Sequence, residues 1–140
     1  DAVTELRQLA QGLGPGSLDS GLAAALAPLA RAGPVPVTVR VTGAPLSRTL
    51  ASAAYYVVLE AVTNAFKHAQ PSRVDVIGEQ VGAQLTVRVS DDGRGGADPL
   101  GSGWIGLMER VTALGGRLHL ASPTGVGTTL EVLLPYAATD

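Results

Sequence analysis

The sequence predicts an α/β fold, a two-layer sandwich in which a mixed, mostly antiparallel sheet carries its helices on one face. The length of 140 residues suits one domain with a single core. Hydrophobic residues make up 46% of the chain, which is well above the apolar content of a disordered chain, and charged residues make up 16%. Helical and strand-like patterns follow one another in the order ααβαββαββ, and this order favours helices layered on a sheet.

The first half of the chain contains three predicted helices and one predicted strand. Apolar spacing predicts, in order, a helix over 3–10, a helix over 17–32, a strand over 35–41 and a helix over 47–69. Gly12 and the pair Gly33-Pro34 are typical stops for the first two helices. Ser47 is a candidate N-cap for the long third helix, and Pro71 prevents that helix from continuing.

The second half of the chain is mainly strands. The pattern predicts strands over 73–78 and 84–90, a glycine-dense loop over 91–103, a helix over 104–114, and strands over 117–121 and 128–134. A short turn near Gly82 joins the first two of these strands, and Gly115-Gly116 ends the helix. The last four residues, 137–140, are predicted to be a frayed tail.

Composition excludes several classes of function. A formal net charge of −2 argues against nucleic-acid binding through a basic face. The absence of cysteine excludes disulfide scaffolds, thiolate zinc sites and cysteine nucleophiles. The longest apolar run, 22–30, is interrupted by Pro28 and is far shorter than the roughly 20 residues of a membrane span, so we expect a soluble chain. Because the chain begins with Asp1, we expect it to be part of a longer protein.

The long helix carries a polar stripe, which consists of Glu60, Asn64, Lys67 and His68. On a helical wheel these four residues fall within an arc of about 100°. The sequence predicts that the stripe lies opposite a core-facing side made of Tyr55, Val58, Leu59, Val62, Phe66 and Ala69. A solvated helix face is the ordinary interpretation of such a stripe. Composition weakens that interpretation, because Asn64 is the only asparagine and Lys67 the only lysine in the chain.

The chemistry of the polar stripe suits a metal-bound phosphate. The amide oxygen of Asn64 is a hard ligand of the kind that Mg²⁺ prefers. The ammonium group of Lys67 can neutralise phosphate charge, and the carboxylate of Glu60 can orient or deprotonate an attacking group. His68 alone indicates little, since a single histidine on a helix is more often structural than catalytic.

Three glycine loops follow the long helix. The first, 91–96, reads Asp-Asp-Gly-Arg-Gly-Gly directly after a strand, and it combines a carboxylate with backbone freedom for close approach by a ligand. The second, 101–107, runs into a helix whose N-terminus can bind an anion. The third, 125–129, could be only a turn, and Thr128 matters if that turn lies beside the first loop. None of these loops is a dinucleotide fingerprint or a Walker loop.

Together, the stripe and the three loops resemble a known family. In chain order they read Glu60-x3-Asn64-x2-Lys67-His68, Asp91-x-Gly93-x-Gly95, Gly101-x-Gly103-x2-Gly106-Leu107 and Gly125-x-Gly127-Thr128. These motifs look like the N, G1, G2 and G3 boxes of the ATP-binding catalytic domain of bacterial sensor histidine kinases, which has the Bergerat fold of type II topoisomerase and mismatch-repair ATPases. Four motifs in order are a specific match that covers about residues 20–135. Glu109-Arg110-Val111 and the segment 5–13 resemble the nitrate-sensor and desaturase-regulator subfamily.

The resemblance implies ATP and Mg²⁺ as cofactors and a role for each motif. Asp91 should accept a hydrogen bond from the adenine amino group, with Gly95 and Thr128 lining the base pocket, and Asn64 should ligate Mg²⁺. Glu60, Lys67 and His68 should be the catalytic group around the phosphates. Nucleotide contacts are implied at Asn64, Asp91, Gly93, Gly95, Gly101, Gly103, Gly106, Leu107 and Thr128.

Two positions depart from the family pattern, and they concern the lid and the base pocket. The resemblance implies a short ATP lid over 96–103. Gly96 stands where an apolar residue is usual, and Trp104 stands where a smaller aliphatic residue is common.

The resemblance also implies the domain organisation. Residues 1–12 should be the tail of an upstream dimerisation and phosphoacceptor helix, 17–136 the catalytic domain and 137–140 a tail. We expect a cytoplasmic, monomeric fragment with no nucleic-acid or membrane contact, cut from a homodimeric kinase with or without a membrane anchor. That kinase should transfer the γ-phosphate of ATP to a histidine on its dimerisation domain and then phosphorylate a response regulator. The alternatives are a stand-alone anti-sigma serine kinase and a degenerate, non-catalytic protein-interaction module.

Overall fold

The computed structural model describes residues 21–31, 33, 35–43, 45–97 and 102–136, with the backbone alone at 102 and 103. The helix predicted over 3–10 and the tail predicted over 137–140 therefore lie outside the described residues, as do residues 98–101 of the expected lid. Within these ranges the chain forms a two-layer α/β structure, as predicted.

The described helices and strands follow one another in the predicted order. They are α1 (Leu22–Leu26) with a 3-10 turn (Ala27–Arg31), β1 (Val37–Val41), α2 (Arg48–Asn64) with a π-helical turn (Ala65–Ala69), β2 (Val74–Val81), β3 (Gln84–Asp91), α3 (Ser102–Ala113), β4 (Arg117–Ala121) and β5 (Thr128–Pro135). No described helix has the length and apolar character needed to cross a membrane.

The strands form one sheet in the order β1-β2-β3-β5-β4. β1 and β2 are parallel, whereas the other three neighbouring pairs are antiparallel, so the sheet is mixed and mostly antiparallel as predicted. Alternate residues of β2, β3 and β5 are buried with the apolar residues of the helices in one core. The intervening residues, such as Glu79, Arg88 and Glu131, stay on the opposite, more exposed face, which indicates that the helices cover one side of the sheet.

Local chemistry accounts for the element boundaries. The side chain of Ser47 accepts a 3.1 Å hydrogen bond from the Leu50 N–H, so the predicted N-cap is confirmed. β1 begins at Val37, two residues later than predicted, since Pro36 has no N–H to donate to the sheet. The helix predicted over 17–32 changes from α geometry in α1 to 3-10 geometry at Ala27, because Pro28 cannot donate the next α-helical hydrogen bond.

The long helix also ends differently from a regular α-helix. Residues 65–69 form a π-helical turn, and Gln70 follows in the left-handed conformation with φ of +49°. A π-turn is uncommon and often marks a functional site. Lys67 and His68 lie in this turn, so their positions differ from those on an ideal helical wheel.

Candidate functional site

A cavity of about 680 Å³ opens between α2, the sheet and the loop that follows β3. It is lined by Glu60, Ala61, Asn64, Ala65, Lys67, His68, Ala69, Val89, Asp91, Arg94, Gly95, Gly96, Ala97, Trp104, Thr128 and Leu130. The fold therefore brings the whole polar stripe together with the first glycine loop and with the start of β5. A cavity of this size is in the range of small-molecule and cofactor sites.

The polar stripe borders the buried face of α2, and the expectation that it lies opposite that face is wrong. Ala61 and Ala65 are buried and line the same cavity as Asn64 and His68. A wheel drawn from large apolar residues misses these alanines, although their small size is what leaves room for the cavity. Glu60 and Asn64 are partly buried, whereas Lys67 and His68 are exposed.

Asp91 ends β3 at the floor of the cavity, directly opposite Thr128 in the register of β3 and β5. Its carboxylate accepts a 2.8 Å hydrogen bond from the Gly93 N–H. Burial raises the pKa of Asp91, and backbone hydrogen bonds from Gly93 and Thr128 oppose that rise. A half-buried carboxylate with unused acceptor capacity suits a ligand that donates a hydrogen bond.

Two glycines allow the loops to approach the cavity closely. A Cβ added at Gly93 would lie 2.3 Å from the Ala69 carbonyl oxygen, so the first glycine loop can pass the end of α2 only with glycine at this position. At Gly127 φ is +135°, and an added Cβ would lie 2.2 Å from the Asp91 carbonyl oxygen. The first and third glycine loops therefore lie side by side, which is the condition under which the sequence predicts that Thr128 matters.

Arg94 is a cavity residue that sequence analysis missed. Its backbone N–H donates to the Ala69 carbonyl over 2.8 Å, and its side-chain Nε donates to the His68 carbonyl. Its own carbonyl accepts a 2.7 Å hydrogen bond from Gly125. A guanidinium group satisfies carbonyls that a helix C-terminus leaves unpaired. No local pattern could reveal this clamp, because its partners are 25 to 31 residues away in the chain.

Asp92 is a second missed residue, and it holds the first glycine loop from outside the cavity. It accepts hydrogen bonds from the Ser72 N–H at 2.8 Å, from the Arg73 N–H at 3.1 Å and from the Ser72 hydroxyl. These hydrogen bonds lower the pKa of Asp92 to about 2. The carboxylate thus joins the loop to the segment before β2, and of the two adjacent aspartates only Asp91 lines the cavity.

The apolar part of the cavity is formed by Val89, Leu130, Ala97 and Trp104. Trp104, one of the two departures from the family pattern, is only 8% exposed, and it both packs in the core and lines the cavity. Apolar walls around a few polar groups are typical of ligand sites.

Other predicted site residues lie outside this cavity or outside the described residues. Leu107 is buried in the core, Gly106 is exposed on α3, and Gly93 lies beside the cavity without lining it. Only the backbone of Gly103 is described, and Gly101 lies outside the described residues. Their proposed contacts with a nucleotide therefore stay predictions.

Comparison with known proteins places the chain in a family. Residues 49–138 match the family described as histidine kinase-, DNA gyrase B- and HSP90-like ATPases. The chain is 29% identical to sensor histidine kinase LiaS of Bacillus subtilis over 144 residues. This match covers 96% of this chain and 40% of LiaS. It is 35% identical over 99 residues to the signal transduction histidine-protein kinase/phosphatase UhpB of Salmonella typhimurium, covering 69% of this chain and 19% of UhpB. The chain thus spans less than half the length of these relatives.

Solved structures show the same fold. The chain is similar to a blue-light activated histidine kinase of Erythrobacter litoralis, with a TM-score of 0.75 and 25% identity over 91% of this chain and 47% of that one. The histidine kinase AdeS of Acinetobacter baumannii shares the fold alone, with a TM-score of 0.65 and 14% identity over 96% of this chain and 75% of that one. The chain therefore belongs to the histidine kinase-, DNA gyrase B- and HSP90-like ATPases, as an ATP-binding domain of the sensor histidine kinase type.

Proposed function

We propose that this domain binds Mg·ATP in the cavity and, within a longer sensor kinase, transfers the γ-phosphate to a histidine on a dimerisation domain. The observation that carries the proposal is that one cavity joins Asp91 and Thr128 to the polar stripe. The first pair suits a purine base, whereas Asn64, Glu60 and Lys67 suit phosphates with a divalent cation. ATP presents both kinds of group in one molecule.

The base end of the cavity fits adenine. The Asp91 carboxylate can accept a hydrogen bond from the exocyclic amine, and the Thr128 hydroxyl can donate to a ring nitrogen. Trp104, Val89 and Leu130 supply apolar contact for the faces and edges of the ring. Guanine carries a carbonyl oxygen where adenine carries the amine, so the carboxylate of Asp91 would repel it.

The phosphate end fits Mg²⁺ bound mainly through phosphate and water. The described residues contain no group of three or more acidic or histidine side chains that could hold a metal ion by itself. Mg²⁺ keeps several waters and often takes one or two protein ligands beside substrate phosphates. The amide oxygen of Asn64 would be one such ligand. When bound, the ion neutralises phosphate charge.

Transfer of the phosphoryl group then depends on positioning and charge. An imidazole nitrogen of the acceptor forms a bond to the γ-phosphorus while the bond to the bridging oxygen of ADP breaks. In this proposal the Glu60 carboxylate orients the acceptor and takes its proton, because it lies on the cavity one helical turn before Asn64. Lys67 and His68 stabilise the charge of the phosphates from the π-helical turn.

The parent protein supplies the remaining parts. We propose that residues 1–12 continue an upstream dimerisation and phosphoacceptor helix, that the parent kinase is a homodimer and that its cytoplasmic domains phosphorylate a response regulator. LiaS and UhpB, which the chain resembles, are named as histidine kinases, and this supports the proposal over a serine kinase or a degenerate module. Membership of the nitrate-sensor and desaturase-regulator subfamily is part of the same proposal.

Phosphorylation with labelled ATP tests the proposed division of labour. The chain has two histidines: His68 lies in the nucleotide cavity, and His119 lies on β4. Neither lies on a helical hairpin, so residues 1–140 alone should acquire no acid-labile phosphate. Label should appear on an upstream histidine when the parent's preceding helical segment is supplied, and Asn64→Ala should abolish it. Stoichiometric histidine phosphorylation of the isolated chain would contradict the proposal.

A further inference from the structure

Ser122 lies outside the nucleotide cavity but contacts three residues that line it. Its hydroxyl oxygen accepts a 2.9 Å hydrogen bond from the Ala97 N–H, and it lies 2.6 Å from the hydroxyl oxygen of Thr128. Its carbonyl accepts a 2.8 Å hydrogen bond from the Gly96 N–H. Ser122 thus joins the end of the first glycine loop to the first residue of β5, between β4 and the third glycine loop.

We propose that Ser122 is a positioning residue that fixes the direction of the Thr128 hydroxyl. The cavity then presents a hydrogen-bond donor at Thr128 next to the acceptor at Asp91, and this pair selects adenine. The inference rests on the proposed function, because it deepens the assignment of this cavity to ATP.

Either hydroxyl of the Ser122–Thr128 pair could be the donor, and counting hydrogens favours Ser122. A serine hydroxyl has one hydrogen to donate and two lone pairs. The Ala97 N–H occupies one lone pair of Ser122, and within the described part of the chain Thr128 is the remaining polar partner of that hydroxyl. If Ser122 donates to Thr128, both groups are satisfied and the Thr128 hydrogen is free for a ligand. Donation from Ala97 also makes Ser122 a better donor, since hydrogen bonds in a chain polarise one another.

The resulting pattern matches one edge of adenine. Adenine places the N6 amine, a donor, next to ring nitrogen N1, an acceptor. Asp91 and Thr128 are direct cross-strand neighbours in the β3–β5 register, so an acceptor and a donor lie side by side at the cavity. If Thr128 instead donated to Ser122, its only hydrogen would be used, and only its lone pairs would face the lone pair of N1. Guanine has an acceptor and a donor in the opposite order and mismatches both groups.

Analogues of ATP separate the two contacts. The ratio of the dissociation constants of 1-deaza-ATP and ATP reports the N1 contact, because 1-deaza-ATP has a C–H in place of N1. The ratio for purine riboside triphosphate and ATP reports the Asp91 contact, because that analogue lacks only the amine. We expect wild type to bind 1-deaza-ATP about 3- to 10-fold more weakly than ATP. Calorimetry on the full chain measures both ratios.

Ser122→Ala should lower the ratio of the dissociation constants of 1-deaza-ATP and ATP towards 1, because Thr128 then loses its fixed direction. The ratio for purine riboside triphosphate and ATP should stay unchanged, because Asp91 keeps its surroundings. Ser122→Thr keeps the hydroxyl and should keep the wild-type ratio. Thr128→Val should abolish the N1 preference, and adding Ser122→Ala to it should change nothing further, as expected when one residue acts through the other.

Three results would overturn the inference: an unchanged 1-deaza ratio in Ser122→Ala, additive effects of Ser122→Ala and Thr128→Val, or wild type that binds ATP without any N1 preference. Failure of wild type to bind ATP at all would instead contradict the proposed function, so the two failures are distinguishable. Melting temperatures of the variants separate loss of fold from loss of selectivity.

Discussion

The carboxylate of Asp91 accepts a 2.8 Å hydrogen bond from the backbone N–H of Gly93, so the acidic residue on the cavity floor also shapes the loop that borders it. The Asp91 carboxylate is engaged by the backbone N–H groups of Gly93 and Thr128, and because each of its oxygens has two lone pairs it retains acceptor capacity for a ligand. The role proposed for Asp91 therefore combines nucleotide selection with local structure, and variants at this residue separate the two.

Asp91→Ala should weaken ATP binding about 10- to 150-fold. A hydrogen bond to a charged acceptor contributes about 1.5–3 kcal/mol, which corresponds to this range. Asp75→Ala is a matched control, because Asp75 also lies on a strand but bonds Thr38 and Arg73 away from the cavity. Calorimetry should show wild-type ATP affinity for the control. Full ATP affinity in Asp91→Ala would mean that Asp91 is only a turn residue.

The ATP affinity should fall on acidification, and the fall should begin at a higher pH than it would if Asp91 had the pKa of an ordinary aspartate. Burial raises the pKa of Asp91 above its usual 3.8, so on acidification the carboxylate gains its proton and loses acceptor capacity earlier. The affinity contribution is thus present above the raised pKa and lost below it. Asp91→Asn removes the titrating group, so the ratio of wild-type to Asp91→Asn affinity isolates this effect from protonation of ATP. A ratio that is independent of pH would contradict the assignment.

Asp92 should contribute to folding stability in a different pH range. Hydrogen bonds from Ser72 and Arg73 lower the pKa of Asp92 to about 2, so its stabilising contribution is fully present above the ordinary pKa of about 4 and is lost as pH falls towards 2. The difference in melting temperature between wild type and Asp92→Asn should be constant above pH 5 and should shrink between pH 4 and 2. A difference that persists undiminished at pH 2 would show that the ionised carboxylate is not responsible.

Gly93→Ala should lower the melting temperature and weaken ATP binding. Its Cβ would lie 2.3 Å from the Ala69 carbonyl oxygen, so the first glycine loop must move away from the end of α2. Overpacking of this kind costs about 1–3 kcal/mol. Gly78→Ala is the matched control, because its Cβ would lie 3.6 Å from Val41, an ordinary contact. Thermal denaturation should leave the control at or above the wild-type melting temperature. An unchanged melting temperature for Gly93→Ala would show that the loop can move to accommodate the Cβ without loss of stability.

Much of this architecture could be predicted from sequence, because it depends on local patterns. Ser47 caps α2 as predicted, and alternating apolar residues place the strands within a few residues. The strand order and the family match confirm the fold class and the ATP-binding assignment. The cavity brings together residues of the polar stripe and of the first and third glycine loops, from Glu60 on α2 to Thr128 on β5, whereas Gly106 and Leu107 of the second loop do not line it.

The rest depends on contacts between distant segments. The clamps made by Arg94 and Asp92, and the bridge made by Ser122, join residues that share no periodicity with their partners. The π-helical turn at 65–69 ends where Arg94, from a distant loop, donates hydrogen bonds to the carbonyl groups of His68 and Ala69. Ala61 and Ala65 were missed for another reason: small residues carry little weight in a hydrophobic pattern, although their size makes the cavity.

The most direct test of the central claim is a calorimetric titration of residues 1–140 with ATP and with GTP, in the presence of Mg²⁺ and after its removal. We expect binding of ATP, rejection of GTP through Asp91, and a loss of ATP affinity both on removal of Mg²⁺ and in Asn64→Ala. Removal of Mg²⁺ should weaken ATP binding less in Asn64→Ala than in wild type, because the variant has already lost the protein ligand of the ion. Equal affinity for ATP and GTP, or ATP binding that neither Mg²⁺ nor Asn64 influences, would contradict the claim that this cavity is a Mg·ATP site.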